Sequence, residues 1–199
     1  LYIEDGSVTM KKGSPQVPFN MCSLIIPGSA AMEVTILESD FIEMPMRIAP
    51  SKGKVKIGSN YDDIDYTFGE EYKTGSIFPE ILVNAGQPYI LRDLRGIDCK
   101  IFPVVYDADR QVVRIYSEIR FAVNVIGNSN INVKAMHRDK FVKTFSEIYS
   151  RHFLNYNEYL HTLRYDEISD IPGKLLIVCY DEFASEMEPY IDWKRQKGI

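Results

Sequence analysis

The side chains of this chain that can do covalent or metal chemistry are Cys22, Cys99 and Cys179, with His137, His152 and His161. A zinc site wants paired Cys or His a few residues apart, and these six do not supply that spacing. Nucleophilic catalysis needs a nucleophile, a base in reach and a group that orients the base, and no such set is readable here. Cys179 sits beside the apolar run Leu175–Val178, where a thiol acts as a small hydrophobe and lacks the electropositive, partly exposed surroundings that lower its pKa. Cys22 and Cys99 fall in strand-like runs and read as structural for the same reason. His152 falls on an aromatic helix face and reads as a packed side chain. Asp107 and Asp109, followed by Arg110, fall short of the roughly six to eight oxygens that calcium takes, so a plain turn is expected. No catalytic residue, metal ligand or cofactor is expected, and the chain by itself should be inactive.

The elements that position these residues are mostly strands. Of 199 residues 45% are hydrophobic, enough for a globular core without metal or disulfide support. Tyr and Phe, 13 and 10 against a single Trp, tilt the composition toward half-buried sheet. A net charge of −5 leaves no basic excess for neutralising phosphates, which argues against a nucleic-acid partner. The most basic stretch, Lys134 to Lys143, is short and reads as a solvated face. No apolar run is long enough to span a membrane as a helix.

Met32–Leu37 alternates apolar and polar residues, and Ile42, Met44, Met46 and Ile48 continue on one side until Pro50-Ser51-Lys52-Gly53. Ile97–Tyr106 and Gln111–Val125 read as a hairpin joined by Asp107-Ala108-Asp109-Arg110. Val113, Ile115, Ile119, Phe121 and Val123 share one face of its second strand and are expected to be buried. The pattern predicts a mainly β fold, an antiparallel β-sandwich of jelly-roll type. At Thr144 the period changes: Thr144-Phe145-Ser146-Glu147 has capping-box spacing, and an aromatic stripe predicts a helix over about 145–161. An acidic linker, Tyr165 to Gly173, follows. The apolar run Lys174–Tyr180 then reads as a parallel-sheet strand, and Asp181 as the N-cap of an amphipathic helix carrying Phe183, Met187, Tyr190, Ile191 and Trp193. Residues 1–164 are therefore expected as one domain. Residues 165–199 are expected as a linker and the first strand and helix of an incomplete α/β domain.

Together these segments resemble the propeptides of the gingipain cysteine peptidases of anaerobic Bacteroidetes. The resemblance is densest in Phe41-Ile-Glu43, Ile48-Ala-Pro-Ser-Lys-Gly53, Phe78-Pro79, Tyr89-Ile-Leu-Arg-Asp-Leu-Arg-Gly96 and Arg114-Ile-Tyr-Ser-Glu-Ile119. It continues through Ile148-Tyr149 and Phe153-Leu-Asn-Tyr156, and Asp192 to Ile199 is similar to the end of the first helix of the catalytic domain. The resemblance implies a secreted or cell-surface precursor, with a prodomain that covers the active-site cleft, keeps the zymogen latent and assists folding. The implied partner is the precursor's own catalytic domain, whose Cys and His lie in the resembling enzymes far beyond the segment aligned here.

Such a propeptide needs a segment that enters the cleft without being cut productively. The polar loop Gly69–Pro79 corresponds to it by resemblance, with Tyr72, Lys73, Phe78 and Pro79 as its residues of interest. Lys73, its only basic side chain, fits a pocket built for Lys or Arg and equally well a solvated lysine. Arg92 and Arg95 read as strand-edge partners of Asp93. Arg164-Tyr165 corresponds to the processing site, where the resembling mature enzymes begin with Tyr. A β-sandwich adhesion or interaction module without protease chemistry is the competing reading, since fold alone does not imply function. The strand–helix tail favours the propeptide.

Overall fold

The computed structural model describes residues 1–73, 77–134, 141–162, 168–169 and 175–198. In chain order its strands are β1 (Ser7–Val8), β2 (Pro18–Ile25), β3 (Ala30–Pro45), β4 (Ile77–Phe78), β5 (Val83–Ala85), β6 (Tyr89–Leu91), β7 (Leu94–Ile101), β8 (Val104–Asp107), β9 (Val112–Asn128), β10 (Phe141–Val142) and β11 (Ile168–Ser169). The helices are α1 (Glu70–Lys73), α2 (Lys143–His152), α3 (Tyr156–Thr162) and α4 (Ala184–Gln196). A smaller antiparallel sheet runs β1-β2-β7-β5, with β6 also on β7, and a larger one runs β3-β9-β8-β4. β10 and β11 pair in parallel as a separate two-stranded sheet.

The two antiparallel sheets exist as layers because one apolar run is divided between them. The stretch Ile97–Tyr106, expected as one strand, breaks at Phe102-Pro103 into β7 of the smaller sheet and β8 of the larger. Pro103 has no N–H to give to a ladder. The N–H of Phe102 turns to the carbonyl of Leu82 at 2.8 Å. Its ring enters the core with Val17, Ile48, Val104, Tyr106 and Val113. The hairpin turn behaves as expected: Asp107 Oδ1 accepts from the backbone N–H of Arg110 at 3.0 Å.

The two stretches Met32–Leu37 and Phe41–Ala49, expected as successive strands, are largely one. β3 runs for 16 residues against the 17 of β9, with register shifts at Ala31/Met32, Ile36/Glu38 and Asp40/Phe41. Bulges of this kind bend a ribbon without ending it. Of the residues expected to be buried on β9, Val113 is fully buried, whereas Ile115, Ile119, Phe121 and Val123 are half-buried. The physical reason is length. The longest strands of the opposing sheet have 8 residues, so the ribbon outruns its cover. Its uncovered part, with Leu37, Phe41, Ile42, Val125 and Ile126 exposed, carries apolar surface into solvent.

A second core lies against the smaller sheet, where Ile25 and Leu94 meet Tyr149, Phe153 and Tyr156. The single helix expected over 145–161 is two helices, broken at 153–155. The cause is the open edge of β2 beyond its short pairing with β1. Leu154 N–H donates to Ser23 O at 3.0 Å. Asn155 receives the N–H of Ile25 on Oδ1 at 2.8 Å and returns a hydrogen bond from Nδ2 to Ile25 O at 3.0 Å. Buried backbone groups must be paired, and here the helix yields to pair them. α2 begins at Lys143, so Thr144 lies in its first turn rather than at its N-cap. Farther on, Leu175–Tyr180 forms no strand, with Leu176 85% and Val178 87% exposed. Among the described residues no neighbouring strand offers this run a ladder. Cys179, expected in a core, is exposed for the same reason. Asp181 opens a 3-10 turn, Asp181–Phe183, that leads into α4, and Phe183 and Trp193 stay exposed.

Candidate functional site

The loop 69–79 is held at both shoulders. On its first side, Gly69 N–H donates to Gly13 O at 2.8 Å, a close approach that would put a Cβ at Gly69 only 3.0 Å from that carbonyl oxygen. Glu71 accepts from Ser14 Oγ at 2.8 Å and from Lys11 Nζ at 2.6 Å, and its carboxyl is held below the usual range chiefly by the Lys11 hydrogen bond. Tyr72 drives its ring between Phe68 and Tyr106, with centroids 4.9 and 5.9 Å away, and donates its hydroxyl to Ile48 O at 2.7 Å. Burial pushes that phenol well above its ordinary value, so it stays a donor. On the far side Ile77 and Phe78 pair with Asp107 and Tyr106 as β4, the edge strand of the larger sheet. Phe78 packs on the inter-sheet core, and the Phe78–Pro79 peptide is cis.

Tyr72 and Phe78 are thus anchors, Pro79 follows half-buried, and Lys73 stands at the end of the anchored part. Lys73 is exposed and pairs with Glu70 at 2.6 Å, both side chains well hydrated. An exposed i,i+3 pair of this kind contributes only about 0–1 kcal/mol, so Lys73 can exchange it for another acidic partner at little cost. Residues 74–76 and the pair Arg164-Tyr165 lie outside the described residues. The last described residue before that pair is Thr162, the end of α3.

Sequence reasoning passed over several organising residues. Lys52, 8% exposed, lies 4.5 Å above the rings of both Tyr61 and Tyr66 and donates to Tyr61 O at 3.0 Å, closing the connection that leads to the loop. Lys52 precedes both tyrosines in sequence, so no local pattern announced the contact. Arg95, expected at a strand edge, is instead 2% exposed and spends its guanidinium on backbone carbonyls at the base of the long ribbon. Arg92 does reach Asp93, at 3.6 Å, and stacks on Phe145 at 3.8 Å. Asp93 also accepts from the buried Tyr149 hydroxyl at 3.0 Å. His152 is exposed rather than enclosed and shares a 2.7 Å hydrogen bond with Tyr89. Cys22 and Cys99 face one another across β2 and β7, with Cys179 on a separate, exposed segment. Among the described residues no three acidic, Cys or His side chains converge as metal ligands, and no helix is long and apolar enough to cross a membrane.

A family model described as Propeptide_C25 matches residues 2–163. The chain belongs to the Propeptide_C25 family. This propeptide is 30% identical over 197 residues to gingipain R2 of Porphyromonas gingivalis, covering 98% of this chain and 26% of that protein. Lys-gingipain of the same organism is 20% identical over 200 residues, which covers 96% of this chain and 11% of that protein. The chain thus spans about a quarter or less of the length of these relatives. Among solved structures, a complex of P. gingivalis RgpB pro- and mature domains matches with a TM-score of 0.71 and 33% identity over 77% of each chain. A structure describing zymogenic latency of gingipain K has a TM-score of 0.52 at 17% identity, covering 62% of this chain and 72% of that one, a likeness of fold alone. The resemblance read from the sequence is borne out, and a propeptide family leaves the adhesion-module alternative without support.

Proposed function

We propose that this propeptide covers the active-site cleft of a gingipain-like cysteine peptidase, holds it latent and assists its folding. The observation that carries the reading is the loop 69–79, pinned at Gly69, Glu71 and Tyr72 on one side and at Phe78 on the other. A peptide presented from fixed shoulders loses little further entropy on entering a cleft. It also resists the rearrangement into products that a free peptide undergoes. Lys73 supplies the cation for a specificity pocket. The uncovered apolar part of the β3–β9 ribbon is the second contact, and it needs a partner more than water does. That partner is the precursor's catalytic domain, whose first segment is residues 165–199. Unburied Leu176, Val178 and Trp193 fit an element whose packing partners belong to the rest of that domain. The family match ends at residue 163, which supports a boundary and a cut between Arg164 and Tyr165. A secreted or surface precursor follows from the same reading.

The test has two parts. Residues 1–164, which contain both cores, should inhibit the mature cognate peptidase in trans. Lys73→Ala should raise the inhibition constant about 10-fold or more, since losing one member of a desolvated charge pair costs about 2–5 kcal/mol. An unchanged constant removes Lys73 from the mechanism, and absence of any inhibition by the parent propeptide removes the mechanism itself. In the full precursor, Arg164→Ala should slow maturation, and N-terminal sequencing of the mature enzyme should begin at Tyr165. A first residue within 174–180 would contradict the boundary.

A further inference from the structure

The three thiols, read from sequence as separate small hydrophobes, are not equivalent once folded. In the antiparallel pairing of β2 with β7, Cys22 stands directly opposite Cys99. Directly opposed residues of such a pair have Cα atoms about 4.5–5.5 Å apart, inside the range of about 4.4–6.8 Å that a disulfide spans. By strand alternation both side chains lie on one face, since Cys99 shares its side with Arg95 and Ile97. The opposite side is that of Gly96, where Phe153 closes in.

We propose that Cys22 and Cys99 are a redox pair, forming a cross-strand disulfide on exposure to a low-molecular-weight disulfide such as glutathione disulfide. Cys22 is the entry point because it is half-buried, whereas Cys99 has no exposed surface. The neighbouring Cys99 thiol draws the Cys22 thiol down against the opposing effect of burial, and the same contact with burial pushes Cys99 up. The Cys22 thiolate attacks one sulfur of the oxidant, forming a mixed disulfide and expelling one glutathione thiolate. Cys99 then loses its proton to solvent and attacks Cys22 Sγ. The protein disulfide forms and the second glutathione leaves as thiolate, so the oxidant takes both electrons. The product ties β2 to β7, the two long strands of the smaller sheet. It also fixes the edge of β2 that Leu154 and Asn155 hold from the other side.

The test uses the 199-residue chain with glutathione disulfide at a pH of about 8, followed by alkylation in denaturant and peptide mapping without reduction. A peptide pair joined through Cys22 and Cys99, lighter by two hydrogens than the reduced pair, is expected. Exposed Cys179 should be recovered alkylated or as its own glutathione adduct. In Cys99→Ser, Cys22 should accumulate as the mixed disulfide. The urea midpoint of the oxidised chain should rise and should fall back after dithiothreitol. A parallel arm refolds the chain from urea in the same redox buffer, so that access to the buried sulfur does not limit the reaction. Recovery of Cys22 and Cys99 both alkylated in that arm would overturn the proposal. So would arrest at the Cys22 mixed disulfide, or pairing of either residue with Cys179.

Discussion

Arg95→Met should destabilise the propeptide by about 3–5 kcal/mol, the usual cost of breaking a buried charged network by removing one member. Nε donates to Asn132 O at 2.9 Å, Nη1 to Pro27 O and Ala30 O at 2.8 Å each, and Nη2 to Ile131 O at 2.9 Å. Net hydrogen bonds from a charged donor contribute about 1.5–3 kcal/mol each, so the gross loss exceeds the figure above. Two effects bring it down: methionine avoids the desolvation cost of the charge, and the carbonyls nearest the surface recover water. What the fork holds is the base of the β3–β9 ribbon, because Ala30 opens β3 and Ile131 and Asn132 follow β9. Far-UV circular dichroism in urea is the suitable assay. Fluorescence of Trp193 reports only on the exposed α4. With a slope of roughly 1–3 kcal/mol/M, the midpoint should fall by about 2 M with the slope unchanged. Arg95→Lys should recover only part of the loss, since an ammonium keeps the charge but not the planar fork. An unfolding free energy for Arg95→Met within about 0.5 kcal/mol of the parent would refute the clamp.

Two further outcomes follow from single contacts. A Cβ at Gly96 would lie 2.5 Å from Phe153 Cε1 and 2.9 Å from Tyr89 Cζ, so Gly96→Ala should cost about 1–3 kcal/mol in urea unfolding. Elsewhere Gly→Ala at an unstrained backbone stabilises, so a stabilised variant would contradict the packing of Phe153 on β7. Glu43 is held at about 2 by hydrogen bonds from Arg110 and Arg114, below its ordinary 4.5. A depressed carboxylate contributes stability above its ordinary value and loses it as pH falls through the folded one. Glu43→Gln should therefore lower the melting temperature at about pH 7, with the difference narrowing below about pH 4.5 and closing near about pH 2. A pH-independent difference would show that the Arg110–Glu43–Arg114 cluster is not its source.

The sequence alone determined what depends on neighbours along the chain. Alternation over 113–123 marks a strand with one apolar face, Asp107 sets its own turn, and the aromatic stripe after Thr144 marks helix. The order and spacing of short segments were enough to reach the propeptide family. Tertiary structure decided everything that needs a partner far away. Arg92 and Arg95 sit in near-identical local sequence, yet one stacks on Phe145 and the other is buried among carbonyls 36 to 68 residues distant. The helix expected through 153–155 breaks because Asn155 pairs with Ile25, 130 residues away, whose open strand edge no local pattern announces. Phe102-Pro103 divides one apolar run between two sheets, a choice that exists only once there are two sheets to join. Cys22 and Cys99 meet through strand register. Local sequence sets the period of a segment, but which buried polar group it must satisfy, and which face it must cover, is settled only by what folds against it.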